Sequence, residues 1–360
     1  MQPIEMYPQP PGTPQLDTVA VIYTGGTIGM CKNQDGQYAP DPDYLVHTMR
    51  NTPLFKHHDL PKYHVMSIPP LLDSASMNID DWVRIARTIE SLYDLYLGFV
   101  VIHGTDTLAY TASILSFILV NLRKPVVITG SQLPLCECYS DGYFNLVGAI
   151  RATTWNINEV CVYFNNKLMR GNRVQKYSAW AIDAFDTASI EPLAIQGTDL
   201  KLNKHVISSM TPVWPTQVTS TKLTVTTPCK DIAITTLYPG FQPKLLRAFI
   251  GFRGLVIQAF GTGNGPSTLE FLSELQNLHL NGCVIVVVTQ THTGLVNLGQ
   301  YEAASTLRSA GCISGYCMTS EAAFCKLSYL CGLGLNQEQV EQSFGQVLRG
   351  EFDTVECEGY

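Results

Sequence analysis

From Asp17 onward the chain alternates short runs rich in Val and Ile with longer amphipathic segments. That alternation is the pattern of βα units laid around a parallel sheet. The runs Val19 to Tyr23, Phe99 to His103, Pro125 to Thr129 and Val160 to Phe164 are predicted strands. Between them, helical spacing predicts Ile79 to Tyr93 with Asn78 as its cap, Leu108 to Leu122, and Tyr143 to Trp155 behind Asp141 and Gly142. The expected architecture of residues 18–205 is α/β: a doubly wound parallel sheet with helices on both faces.

Residues 206–228 are rich in Thr, Ser and Pro, lack helical period and read as a linker, with room for a short strand. Beyond it the alternation restarts. Strands are expected at Ile232 to Thr236, Leu255 to Ala259 and Val284 to Thr289, and helices near Pro243 to Phe249 and from Ser267, with two more helices closing the chain. Residues 229–360 therefore form a second, smaller α/β domain, and two domains also suit a length of 360 residues. Residues 1–17 open as MQPIEMYPQPPGTPQ, a Pro-rich tail expected to be disordered, with neither the cationic start nor the apolar core of a targeting signal.

Composition narrows the class. Charged residues make up 15% and hydrophobic ones 46%, which suits a core-rich fold and excludes disorder over most of the chain. A net charge of −7 leaves no basic field for a phosphate backbone or an anionic membrane surface. No apolar run approaches the roughly 20 residues that cross a bilayer. Neither nucleic acid nor membrane is an expected partner. Most of the 11 cysteines sit in apolar elements, as Cys161, Cys283 and Cys325 do, which fits buried thiols in a reducing cytosol. Cys136 and Cys138 form one close pair, but no second pair or nearby His completes a metal shell, so no metal is expected.

Two glycine-framed turns follow strands directly, where open parallel sheets bind ligands. The first is Thr24-Gly25-Gly26-Thr27-Ile28-Gly29; it matches no dinucleotide or P-loop pattern, and the extended KNQDGQY replaces the expected helix. The second is His103-Gly104-Thr105-Asp106-Thr107, whose Thr105 and Asp106 could simply cap the helix that follows, and whose His103 reads as a satisfied core histidine. A threonine hydroxyl is a weak nucleophile and needs a base. Lys176, in the loop Arg170 to Lys176, can supply one, since lysine shifts its pKa readily when buried and a carboxylate can hold it in place. Taken singly, it would be a solvated surface lysine.

At these residues the sequence resembles the L-asparaginases, and among them the cytosolic type I branch. The likeness runs from about residue 18 to 350. It is carried by YTGGTIGM at 23–30, PLLDSASM at 70–77, FVVIHGTDTLAYTASILSF at 99–117, VITGSQLPL at 127–135, DGYFNL at 141–146, FNNKLMRGNRVQK at 164–176, GTGNGP at 261–266 and MTSEAAFCKLSYL at 318–330. The resemblance implies that Thr27 is the nucleophile forming an acyl-enzyme from the side-chain amide of asparagine. Thr105, Asp106 and Lys176 would be the second catalytic group: Lys176 draws a proton through Thr105, while Asp106 orients Lys176 and meets the substrate's amino group. Asp73, Ser74 and Ala75 match the segment gripping the substrate's α-carboxylate and amine, Ala75 through its backbone alone. A tyrosine assists the first threonine in the family; Tyr38, on the loop Cys31 to Pro40 where Gly29, Gly36 and the polar run between them suit a mobile lid, is favoured over Tyr301.

The resemblance further implies no cofactor, a cytoplasmic location and a homo-oligomer, dimer or tetramer, so part of the apolar content would cover interfaces. Allosteric members place an arginine and a cysteine where this chain has Gln258 and Thr291, so no such asparagine switch is expected. Two other functions fit parts of the pattern: an amidase supplying ammonia for tRNA-dependent transamidation, and a catalytically inactive amino-acid sensor. The first calls for a basic RNA-facing surface, which the net charge opposes; the second would not need both threonines and the lysine.

Overall fold

The computed structural model describes residues 15–208, 222–299 and 302–353. It divides into two compact units, one reaching to residue 208 and including 222–225, the other comprising the described residues from 226 onward.

The first unit is built on an eight-stranded sheet: β1 (Gln15–Gly25), β2 (Lys62–Leu72), β3 (Tyr96–Ile102), β4 (Val126–Thr129), β5 (Val160–Phe164), β6 (Lys167–Arg170), β7 (Ala194–Gln196) and β8 (Leu200–Leu202), in the order β8-β7-β6-β5-β4-β3-β1-β2. The pairs from β2 through β1, β3 and β4 to β5 are parallel. Those from β5 through β6 and β7 to β8 are antiparallel. The expected parallel sheet is thus parallel over five strands and extended by three antiparallel ones. A two-residue hairpin starts the reversal, because Asn165 and Asn166 both adopt positive φ, 45° and 63°, as a type I′ turn requires.

Alternate residues of β1 serve two cores. Val19, Val21 and Tyr23 join Leu45, Val46 and Met49 of α1 (Pro42–Asn51) and Leu146, Ala149 and Ile150 of α4 (Gly142–Ala152). Ala20 and Ile22 point the other way and are equally buried, on the side of α2 (Ile79–Leu92) and α3 (Leu108–Ile118). A sheet covered on both faces explains near-continuous apolar runs such as Phe99 to Ile102.

Several boundaries differ from the sequence pattern. Strand β1 begins at Gln15, three residues inside the segment expected to be tail; Gln15 pairs with Tyr96, and Asp17 meets Lys62 at 2.6 Å. Helix α1 lies beyond the KNQDGQY stretch, opened by Pro42 and by the Asp41 carboxylate, which accepts from the Asp43 and Tyr44 amides. The stretch itself is the turn of a hairpin pairing Met30–Lys32 with Tyr38–Pro40. Helix α3 stops at Ile118 because Leu119–Val120 pairs antiparallel with Thr224–Val225, which also gives the expected linker its short strand. Residues 209–221 of that linker lie outside the described residues.

The second unit carries a four-stranded parallel sheet in chain order: β9 (Ile232–Thr236), β10 (Gly254–Ala259), β11 (Val284–Thr289) and β12 (Cys312–Ser314). The Pro243–Phe249 helix is of the tight 3₁₀ kind. Around the sheet lie α5 (Leu269–Leu280), α6 (Glu302–Ser309), α7 (Ser320–Gly332) and α8 (Gln337–Phe344). Lys326 of α7 is fully buried; its Nζ reaches Glu351 at 2.6 Å and donates to the Phe344 and Gln346 carbonyls. That buried cation ties the final described segment to the helix.

Candidate active site

The five parallel strands run β2-β1-β3-β4-β5, so the chain departs in opposite directions after β1 and β3. The crevice beyond their carboxyl ends is the topological switch point, where α/β sheets bind ligands. Both glycine turns sit there. The Gly25-Gly26-Thr27 turn follows β1, and Gly104-Thr105-Asp106 follows β3.

The turns touch through backbone. Gly26 has φ 92°, and a Cβ added to it would lie 2.4 Å from the Gly104 nitrogen. A Cβ on Gly104 would lie 2.4 Å from the Ser74 hydroxyl. Only glycine permits this approach, and it places Thr27, Thr105 and Ser74 each within one residue of a contact. Side chains fasten the ends: the Thr24 hydroxyl donates to the Ile102 carbonyl at 2.8 Å, and Thr107 donates to the Ser74 carbonyl at 2.8 Å.

Lys176 enters from a short hairpin in which Gln175–Lys176 pairs with Phe185–Asp186. Its Nζ donates to Thr105 Oγ1 at 2.9 Å and to Asp106 Oδ1 at 2.7 Å. Thr105 is buried and Asp106 exposed, so the lysine spans from a dry hydroxyl to a wet carboxylate. The loop leading to Lys176 is anchored by buried Arg170, whose Nε meets Glu159 at 2.7 Å.

His103 is fully buried. Its Nδ1 lies 2.7 Å from the Gly104 carbonyl and therefore carries the proton. Its Nε2 then accepts from Thr111 Oγ1 at 2.9 Å, and Thr111 accepts from Trp82 Nε1 at 2.9 Å. Burial lowers its pKa from 6.5 to about 4, which keeps the ring neutral. The Gly104 carbonyl and the Thr105 N–H share one planar trans peptide, so a carbonyl drawn inward to His103 turns the Thr105 N–H the opposite way. No described group accepts from the amide of Thr105 or of Thr27, nor from the half-buried Thr27 hydroxyl. The turns thus carry two unpaired N–H donors, the requirement for holding a developing oxyanion.

The third strand turn is packed as closely. A Cβ on Gly130 would meet the His103 carbonyl at 2.3 Å, and Asp141 accepts from the Gln132 and Leu133 amides.

The expected residues divide by what the structure brings together. Thr105, Asp106 and Lys176 share direct hydrogen bonds, and Thr27 and Ser74 border the same backbone contact. Asp73 is exposed, with its carboxylate capping the short turn Ser74–Ser76 by accepting from the Ala75 amide at 3.1 Å. The Ala75 N–H, its one backbone donor, is therefore spent within the chain. Tyr38 points its hydroxyl to Glu137, which also pairs with Lys32 at 3.0 Å. That bond raises the Tyr38 pKa and keeps the phenol protonated. Glu137 was missed from sequence, since a glutamate between two cysteines carries no signal of a tyrosine partner 99 positions away. Tyr301 lies outside the described residues. In the second unit, Gln258 donates to Ser320 Oγ at 2.7 Å, and the Thr291 hydroxyl lies 2.8 Å from the Thr293 carbonyl.

Hydroxyls, an amine and a carboxylate gathered at a switch point define an α/β enzyme acting on a small polar molecule. The family model described as asparaginase, N-terminal, matches residues 18–208, and the glutaminase/asparaginase C-terminal domain matches 231–344. The chain is 41% identical over 340 residues to L-asparaginase 1 of Escherichia coli, covering 94% of this chain and 98% of that one. It is 39% identical over 366 residues to the 60 kDa lysophospholipase of Mus musculus, covering 92% of this chain and 61% of that one. The crystal structure of L-asparaginase I from Vibrio cholerae superposes with a TM-score of 0.83 at 38% identity, covering 94% of this chain and 99% of that one. The chain belongs to the asparaginase family.

Proposed function

We propose that this protein is an L-asparaginase, an amidohydrolase converting L-asparagine to L-aspartate and ammonia through a threonine acyl-enzyme. The observation that carries the mechanism is Lys176 bonded to both Thr105 and Asp106, next to the Gly26–Gly104 contact that brings in the Thr27 turn.

Thr27 Oγ1 attacks the side-chain carbonyl of asparagine, and the unpaired N–H groups of Thr27 and Thr105 receive the oxyanion. Lys176 draws the Thr27 proton through Thr105 and returns it by the same route to the departing ammonia. The relay then takes a proton from the water that attacks the acyl-enzyme and gives it back to Thr27 Oγ1 as aspartate leaves. Asp106 holds Lys176 and, being exposed, also faces the substrate's ammonium group. Asp73 and Ser74 border the site where the α-carboxylate and amine lie; Ala75 contributes its carbonyl edge. Tyr38 assists Thr27 once it leaves Glu137, because a phenol bonded to a carboxylate keeps its proton. The site needs no cofactor.

The proposal extends to a cytoplasmic homotetramer. Tyr139, Phe144 and Trp180 are 87%, 67% and 91% exposed on the catalytic unit, an apolar set that a second copy would cover. The test is ammonia release from asparagine against glutamine by the wild type, Thr27→Ala, Thr105→Ala and Lys176→Met. Each substitution should lower kcat roughly 1,000-fold or more; a wild type without turnover, or unchanged turnover in the two threonine variants, would sink the mechanism.

A further inference from the structure

The hairpin that delivers Lys176 continues into a loop, residues 177–184, that turns most of its apolar side chains outward. Tyr177, Ala179, Trp180 and Ile182 are all exposed there. The paired rungs end at Lys176↔Phe185, and beyond them the Tyr177 and Ser178 amides both donate to the Ala184 carbonyl. Apolar groups left in water contribute little to holding such a loop, so its place depends on polar ties to the rest of the unit. Lys167 Nζ supplies one by pairing with Asp183 at 2.8 Å. Half-buried Gln132 supplies another, its Nε2 donating to the Ala181 carbonyl at 3.1 Å.

The Gln132 tie starts inside the site. Gln132 belongs to the turn after β4, and the Asp141 carboxylate accepts from its backbone amide through both oxygens, at 3.1 and 3.0 Å. In the same turn stands Gly130, where an added Cβ would lie 3.6 Å from Thr105 Cγ2 as well as meeting the His103 carbonyl. The contacts close a ring. Thr105 lies against the turn, Gln132 of that turn holds Ala181, and the loop runs back to Lys176, whose Nζ returns to Thr105 at 2.9 Å.

We propose that Gln132 is a positioning residue for the reaction: by holding Ala181 it sets the distance at which Lys176 Nζ meets Thr105. Its effect is exerted through Lys176, and the inference therefore rests on the relay from Thr27 through Thr105 to that lysine. A relay built on single hydrogen bonds tolerates little drift, since a misplacement of about 1 Å can cost roughly 100-fold in rate. Neither local spacing nor burial marks the residue; the tie joins positions 49 apart.

The experiment measures kcat and KM for asparagine in the wild type, Gln132→Met, Lys176→Met and the double variant, together with amide hydrogen exchange of the folded proteins. Gln132→Met keeps the length and volume of the side chain and removes only its amide. It should lower kcat roughly ten-fold or more and move KM by less than about three-fold, with faster exchange confined to 177–184. In the Lys176→Met background the same change should lower kcat by less than about two-fold, because no lysine remains to be placed. Gln132→Glu, which sets an acceptor against the Ala181 carbonyl, should fall at least as far as Gln132→Met. A merely structural role would lower kcat by the same factor in both backgrounds, and that result, or an unchanged kcat in Gln132→Met, overturns the proposal. Full turnover by Lys176→Met would overturn the relay and this proposal together, whereas a loss in Lys176→Met with none in Gln132→Met overturns this proposal alone.

Discussion

Acidification should unload a specific part of the catalytic unit's stability through His103. The folded ring binds its proton with a pKa near 4, against 6.5 when exposed to water, because the charged form would be buried between Gly104, Thr111 and Trp82. A base whose folded pKa is depressed favours the unfolded chain as protons are added. Its contribution is complete above 6.5 and is lost as pH falls from there to about 4. The full span is worth about 3 kcal/mol, of which about 2 kcal/mol is gone near pH 5. Urea unfolding followed by tryptophan fluorescence suits the measurement, since Trp82, Trp155 and Trp180 all lie in this unit. His103→Asn is the informative variant: its amide can still donate to the Gly104 carbonyl, yet it does not titrate. Wild type should lose about 2 kcal/mol more than the variant between about pH 7 and pH 5. Equal losses would refute the buried neutral imidazole and, with it, the argument that His103 aims the Thr105 amide.

Three further outcomes follow from the same geometry. Lys326→Met leaves Glu351 buried without its cation and should cost about 3–5 kcal/mol in thermal or urea unfolding, most of it regained in Lys326→Met with Glu351→Leu; a loss below about 1 kcal/mol would show that the pair is dispensable. Gly104→Ala drives a methyl into Ser74 and should lower stability by about 1–3 kcal/mol and kcat/KM along with it, whereas unchanged kinetics would mean that the contact does not position Thr105. Initial rates should be hyperbolic in asparagine, because Gln258 and Thr291 are both committed to hydrogen bonds within their unit; sigmoidal curves abolished by Thr291→Ala would contradict this.

The parts legible in sequence are those where one signal dominates. Apolar runs located β1, β3, β4 and β5, the first three of them followed by glycine turns, and the turn residues after β1 and β3 are the ones the structure packs together. Strand β2 was not legible. Its polar start, KYH, and the Pro69-Pro70 pair near its end disguise an edge strand, although the DSAS segment behind it was found by family likeness. The antiparallel strands β6 to β8 are too short and too mixed to show a period; their one cue was Asn165-Asn166, a turn that only left-handed backbone permits. The Lys176 contact joins positions 71 and 70 residues apart, and Tyr38 to Glu137 spans 99, so neither follows from local spacing.

The glycine contacts at the switch point also bear on how such an enzyme can change. Gly26 and Gly130 pack against backbone and Gly104 against the Ser74 side chain, so the spacing of the glycine turns, and with it the position of Thr27, does not depend on which side chains line the crevice beyond Ser74. Specificity and catalysis are in that sense separable. Libraries that vary residues 73 and 75 and leave Ser74 and the three glycines untouched should yield enzymes with new preferences at the α-carboxylate and amine end of the substrate at little cost to turnover, whereas substitutions at the glycines should be purged whatever substrate is selected.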